Sequence, residues 1–422
     1  MSNPLPPRAL KSHISSDIFV HVPASPDSIS QTAAKTPPRI IFLVTGNPGL
    51  IAYYHAFLSI LSTTTPTSEC VLVGFSLGGF EIDDHHVRER RERATEIDQG
   101  LEALQFPDGV HHEGKIWGLE EQIDLTERRV RGLVESVYEH YSNEGIRGSN
   151  DGSEEPQKLE VILLGHSVGA YIVLELLRRH AEERKSKQVD DGGLVESVDF
   201  NIKGAILLTP TVFDIARSQS GRVLTPLVEY VPGFAMLVAA VARGMGTVLP
   251  RAWLRELVRR VTGMPDQGGD TSGGRVSALD ATVAFLRSVK GVRQALEMAG
   301  DEMRTIREDK WGEEVWGAAN IVMYGRKKDG DVVEEGKSQG TRTAELVFYF
   351  AKTDHWIADQ TRDDLLRLRG RLDREGEDWK PRMVVDKEDG LVHGWCIGQS
   401  ELVAGKVRGW VEEILGKDED TK

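Results

Sequence analysis

The sequence predicts an α/β fold, with a mostly parallel central sheet covered by helices on both faces and a helical cap inserted into it. Three observations carry that prediction. Continuously apolar runs of strand length recur at Ile40–Val44, Cys70–Val73, Val161–Leu164 and Gly204–Leu208. Such runs mark strands that are buried on both faces. Segments with helical apolar spacing separate them, and strand–helix alternation of this kind builds parallel sheets. The alternation stops after Leu208 and resumes only at Leu346–Phe350, which leaves room for the insertion.

Residues 1–38 are rich in Pro, Ser and Ala and read as a flexible N-terminal segment. They lack the basic-then-apolar order of a signal peptide, so the chain is expected on the cytosolic side of any membrane. Within them Ile18–Val22 is a possible first edge strand. Ile40–Val44 is the first central strand, followed by a Gly-Asn-Pro-Gly turn and a helix around Tyr53–Leu61. After the strand Cys70–Val73 comes a polar, charged stretch, Glu81–Gly114. A long helix is predicted over Leu119–Tyr141, because Leu119, Ile123, Val130, Val134, Val137 and Tyr141 share one face. A Gly/Ser-rich loop, Gly145–Lys158, leads to the strand Leu159–Leu164 and a helix ending near His180. Residues 39–210 thus form the first part of the core and 211–344 the cap. The cap has a Gly-rich loop at Pro265–Arg275 and one strand candidate, Ile321–Tyr324. Residues 345–416 complete the core with strands Leu346–Phe350 and Arg382–Val385 and helices Thr361–Leu372 and Glu401–Leu415. A polar tail, 417–422, ends the chain.

With 422 residues the chain can bury a sizeable core. Its net charge of −14 argues against nucleic acid as a partner. Two cysteines, Cys70 and Cys396, make no disulfide framework and fit a reducing compartment. No metal site is expected. His85-His86 and His111-His112 are adjacent pairs rather than ligands one helical turn apart, and read as surface residues.

The chemistry is concentrated in Gly165-His166-Ser167-Val168-Gly169, which ends a buried strand and opens the apolar run Ala170–Leu177. This is the setting of the nucleophile elbow in α/β-hydrolases. A serine on a strained strand-to-helix turn exposes Oγ, and its neighbours two residues away, Gly165 and Gly169, must be small. The pentapeptide alone is weak evidence, and a second copy, Gly74-Phe75-Ser76-Leu77-Gly78, is present. Ser76 is followed by Glu81-Ile82-Asp83-Asp84-His85-His86, too polar for the buried helix an elbow requires. Ser167 is therefore the expected nucleophile.

Acyl transfer by serine also needs a base and an acid that orients it. In this fold the chain order is Ser, acid, His, with the acid after a late strand and the histidine after the last. Asp354 and His393 stand at those places. The rival base is His355, whose side chain is expected to point away from the adjacent Asp354. The rival acids are Asp359 and Asp386, the latter too near the end of its strand. The turn Thr45–Gly49 follows the strand that usually supplies an oxyanion donor, and its glycines let an amide turn inward. The expected oxyanion hole is the N–H groups of Asn47 and Val168. Such chemistry needs no cofactor.

With these residues in view, the chain resembles the lipid droplet-associated hydrolase family. The resemblance rests on Gly46-Asn47-Pro48-Gly49 with Tyr53-Tyr54 and Phe57, and on Leu119-Glu120-Glu121-Gln122-Ile123. It continues through the elbow with Ala170-Tyr171, Leu208-Thr209-Pro210-Thr211, Thr353-Asp354-His355-Trp356 and Val392-His393. It implies a serine hydrolase with Ser167, Asp354 and His393 as its triad, acting on lipid esters at lipid droplets or the endoplasmic reticulum. The polar insertions Asp83–Gly114, Gly145–Lys158 and Gly325–Thr341 depart from the family pattern and bear on substrate rather than core.

The segment Val223–Leu254 is the most apolar part of the cap, but its uncharged stretch Phe234–Ala242 is too short to span a bilayer, which takes about 20 residues. Two readings stand: a buried cap helix, or a segment lying in a lipid monolayer, with Arg251, Arg255, Arg259 and Arg260 near head groups. Two alternatives to ester hydrolysis also stand. One is a droplet-binding or structural protein with little turnover, since fold does not fix function. The other is a thioesterase or acyltransferase using the same triad.

Overall fold

The computed structural model describes residues 10–23, 39–82, 100, 103–105, 107, 115–143, 158–189, 198–266, 275–316, 344–371 and 380–416. In chain order the strands are β1 (His13–Ile14), β2 (Ile18–His21), β3 (Ile40–Val44), β4 (Val71–Phe75), β5 (Leu159–His166), β6 (Phe200–Leu208), β7 (Glu345–Phe350) and β8 (Arg382–Val385). The longer helices of the core are α1 (His55–Leu61), α2 (Leu119–Asn143) and α3 (Val168–Val189). The insertion follows with α4 (Gln219–Tyr230), α5 (Phe234–Val248), α6 (Arg251–Thr262), α7 (Ala278–Arg287) and α8 (Gly291–Thr305). The core closes with α9 (Asp359–Arg369) and α10 (Ser400–Gly416).

The strands form one sheet in the order β1-β2-β4-β3-β5-β6-β7-β8. From β4 to β8 all neighbours are parallel, while β1 and β2 join antiparallel at one side. β3 and β4 are buried at every residue, as their unbroken apolar runs require. β8 is half-buried throughout, which fits its place at the edge. The chain leaves β3 toward β4 and then crosses back to β5 on the other side of β3. Right-handed crossovers therefore put α1 on one face and α2 and α3 on the other. α1 packs with α10, and α2 packs with α3. The reversal between β3 and β5 is a topological switch point, and the crevice at its carboxyl end is where such sheets hold ligands.

Four differences from the sequence reading have physical causes. Residues 10–23 are not a free leader: Phe19 and Val20 are buried and β2 pairs with β4. β2 is also not the edge, because β1 lies outside it. The elbow helix α3 runs to Val189 rather than His180. Its second half has no apolar stripe, but Arg178 pairs with Glu175 and Glu182, and Lys187 with Glu183, at helical spacing. Arg179 ties the same stretch to Glu120, Asp124 and Glu127 of α2. Lastly, β6 begins at Phe200, four residues before the apolar run, because Phe200 and Ile202 alternate inward past exposed-side Asn201 and Lys203.

Among the described residues, α4 to α8 stand between β6 and β7, together with a 3-10 turn at Ile215–Arg217 and a one-turn helix at Glu313–Trp316. α4 and α5 meet at 104° across Val231-Pro232-Gly233, where Gly233 takes φ +76° and an L side chain would be strained. α6 and α7 share a small core of Leu254, Val258, Leu279 and Val283. α8 packs against α4, α5 and α7 and reaches α2. The strand candidate Ile321–Tyr324, residues 145–157 of the loop Gly145–Lys158, residues 267–274 of the loop Pro265–Arg275, the paired histidines and the tail 417–422 lie outside the described residues.

Candidate active site

β5 ends at His166 and α3 begins at Val168, so Ser167 is the whole turn between them. It takes φ +54°, a left-handed conformation costly for a residue with a Cβ. The glycines on either side are needed for closeness. A Cβ on Gly165 would fall 2.7 Å from the Ala170 Cα, and one on Gly169 would fall 2.6 Å from the Thr45 carbonyl. The amide of Ser167 donates to the Leu208 carbonyl, and the amides of Ala170 and Thr211 donate to its own carbonyl. The nucleophile candidate is therefore fastened to β6 and to α3.

His393 lies in the loop after β8, and its Nε2 is 2.9 Å from Ser167 Oγ. Its Nδ1 is 2.7 Å from Asp354 Oδ2. A carboxylate only accepts, so Nδ1 carries the proton and Nε2 is free to accept from the serine hydroxyl. Burial pushes the Asp354 carboxyl up, but the hydrogen bond and charge of His393 and the Trp356 amide outweigh it. Asp354 is thus held below the usual carboxylate range and stays ionised. The chain segments 167, 354 and 393, far apart in sequence, meet here.

The rivals make other contacts. His355 is exposed, its carbonyl accepts from the Ser220 amide, and its ring stands 5.9 Å from the His393 ring, beside the triad but outside its hydrogen-bonded line. Asp359 opens α9 and bonds Arg362. Asp386 accepts from the Leu391 amide and the Tyr349 hydroxyl, and so braces the loop that carries His393. Ser76 is fully buried, donates to Asp17 and accepts from the Ile51 amide, which leaves it a structural serine.

The loop Thr45–Gly49 closes over the nucleophile. A Cβ on Gly46 would meet the Ser167 Cβ at 3.0 Å. Val168 is the first residue of α3, so its amide belongs to the unpaired first turn of a helix. Of the two candidate oxyanion residues, Val168 follows Ser167 directly, and Asn47 follows Gly46, the residue of the loop that approaches the Ser167 side chain. Two partners of this loop escaped sequence reading. Asn47 Nδ2 donates to the Ala295 carbonyl (2.9 Å) and to Glu302 Oε1 (2.8 Å), both on α8 of the cap. Burial, with the nearby Asp301, pushes the Glu302 carboxyl up to about 8. Its signal was local: Glu302 sits one turn after Met298 and beside Met303 on the buried face of α8. Tyr54 and His166 are the other pair, with no such local mark.

Among the described residues no group of three or more His, Cys, Asp or Glu side chains stands ready to hold a metal ion.

A family profile for lipid-droplet associated hydrolases matches residues 37–396, a span that takes in every site residue above. The chain belongs to the lipid-droplet associated hydrolase family. A family member from Gallus gallus, a lipid droplet-associated hydrolase, is 22% identical over 396 residues, covering 92% of this chain and 90% of its own. Its Mus musculus counterpart is 21% identical over 375 residues, covering 89% and 85%. Among solved structures, a haloalkane dehalogenase from Bradyrhizobium elkani aligns over 95% of this chain and 100% of its own, at 10% identity and a TM-score of 0.45. Membership makes this chain a member of a hydrolase family, and the sheet order and elbow agree with a hydrolase fold.

Proposed function

We propose that this chain is a serine ester hydrolase that cleaves lipid esters at a lipid droplet or at the cytoplasmic face of the endoplasmic reticulum. One observation carries the reading: Ser167 Oγ, the His393 ring and Asp354 form a continuous hydrogen-bonded line, 2.9 Å and 2.7 Å long at its two links. Ser167 Oγ attacks the ester carbonyl while His393 Nε2 takes its proton. Asp354 holds the Nδ1–H and offsets the charge of the imidazolium that forms. The developing oxyanion accepts from the amides of Asn47 and Val168. Collapse expels the alcohol, which takes the proton back from His393. Water then attacks the acyl-enzyme by the same base catalysis and frees the acid.

The lipid part of the proposal rests on the family and on the cap. Most of the exposed large apolar side chains among the described residues lie between Val223 and Val261. Tyr230, Val248 and Val261 are 77%, 80% and 77% exposed, which disfavours the buried-helix reading of this segment. No single described helix is long and apolar enough to cross a membrane. The bent pair α4–α5 has the form of an element that lies in an interface. Three of the four arginines of α6 are engaged within the cap, Arg255 with Asp266 and Asp280, and Arg259 and Arg260 with Glu256, while Arg251 is exposed. Apolar contact rather than head-group pairing therefore leads at this face.

The test is release of fatty acid from triacylglycerol and sterol-ester emulsions by the wild type and Ser167→Ala. The variant should lose roughly 10⁴-fold or more of kcat while keeping its fold. Equal turnover by the two proteins would sink the reading.

A further inference from the structure

Three buried hydrogen bonds form a line, two of them made by His166, the residue that precedes the nucleophile. The Gly46 amide donates to Tyr54 Oη at 2.9 Å. Tyr54 Oη is 2.6 Å from His166 Nδ1, and His166 Nε2 is 2.9 Å from the backbone carbonyl of His393. A carbonyl only accepts, so His166 carries its proton on Nε2. Nδ1 then accepts from the Tyr54 hydroxyl, whose oxygen accepts in turn from Gly46. Every donor has an acceptor, and the direction of each bond is determined.

The surroundings keep this chain neutral and still. Burial, with the neighbouring His393, lowers the His166 imidazole to about 3. Burial also raises the Tyr54 hydroxyl well above its ordinary range. Trp395 lies edge-on to both rings, 5.3 Å from His166 and 5.8 Å from Tyr54.

The three bonds join three separate segments. Gly46 belongs to the loop that closes over Ser167, His166 ends β5, and His393 is in the loop after β8. We propose that Tyr54 and His166 are positioning residues, which hold the oxyanion loop and the base loop in one geometry around Ser167. The proposal rests on the serine-hydrolase reading above. Neither side chain touches the reacting atoms. Many side chains would fill the space of His166, but only one with an acceptor on one edge and a donor on the other closes the line.

The experiment compares wild type, Ser167→Ala, Tyr54→Phe, His166→Phe, the Tyr54→Phe/His166→Phe double variant and His166→Gln. Each is labelled to end point with a fluorophosphonate to count reactive serines. Then kcat per reactive serine and KM are measured on p-nitrophenyl butyrate. We expect kcat per reactive serine to fall about ten- to a hundredfold in both single variants, with KM within about twofold. The double variant should be no worse than the poorer single, because both cut the same line. His166→Gln, which keeps a donor toward the His393 carbonyl, should recover part of the loss. A merely structural role would lower the number of reactive serines and leave kcat per reactive serine unchanged, and that result overturns the proposal. Losses that multiply in the double variant overturn it too. A wild type with no Ser167-dependent labelling removes the hydrolase reading and this proposal with it, whereas full turnover in the two single variants removes the proposal alone.

Discussion

At Ser167 the requirements of folding and of chemistry diverge. Its φ of +54° costs about 1–2 kcal/mol relative to an unstrained residue, and what it secures is an Oγ at the foot of α3 held 2.9 Å from His393 Nε2. Glycine would relieve that strain and add back about 0.5–1 kcal/mol of chain entropy. Ser167→Gly should therefore unfold with a stability about 0.5–1 kcal/mol above wild type, measured by urea denaturation, and have no turnover. A loss of stability would contradict the strained-elbow account. The sequence made this residue legible because an elbow is local: five consecutive residues, a buried strand before and an apolar helix after. Tyr54 and His166 were not legible as a pair. They are 112 residues apart, and His166 lies 227 residues from its His393 partner, so no periodicity reports the contact.

Among elements, α8 joins the cap to the loop Thr45–Gly49, the candidate oxyanion loop. Its Glu302 is 4% exposed and accepts from Asn47, 255 residues away. In the folded chain that carboxyl keeps its proton to about pH 8, against 4.5 for the free side chain. Between those values the unfolded chain releases a proton that the folded chain retains, so Glu302 makes stability fall as pH rises. Glu302→Gln keeps an acceptor for Asn47 and cannot ionise. The stability of this variant relative to wild type should climb between about pH 5 and pH 8, by roughly 3 kcal/mol in all. A difference that stays flat with pH in denaturation curves would show that Glu302 is not held neutral. The strands and long helices were readable because each repeats its apolar spacing. Ion-paired helix, as in the second half of α3, carries no such stripe, and β1 with two residues is too short to show a period. What a cap helix touches depends on tertiary contacts that spacing does not encode.

The whole molecule presents two regions to which the proposed function assigns different duties: a sheet whose switch point holds the candidate triad, and a cap with an exposed apolar face. Lipid association and ester chemistry should therefore separate under mutation. Replacing exposed Leu237 and Val241 of α5 with Asp should reduce binding to phospholipid-coated triacylglycerol emulsions by about tenfold or more, because two buried apolar side chains contribute about 3 kcal/mol or more. Hydrolysis of a soluble short-chain ester should stay unchanged. Undiminished flotation with the emulsion would place the lipid contact elsewhere. The sequence located this segment but left it between buried helix and lipid surface, since composition alone does not say which apolar faces the fold covers. The central claim, an activated serine at the elbow, is tested most directly by labelling the purified wild-type chain with a fluorophosphonate and mapping the modified peptide. The account predicts a single label on Ser167, abolished by Asp354→Ala or His393→Ala. Label on Ser76, or none on the folded protein, would contradict it.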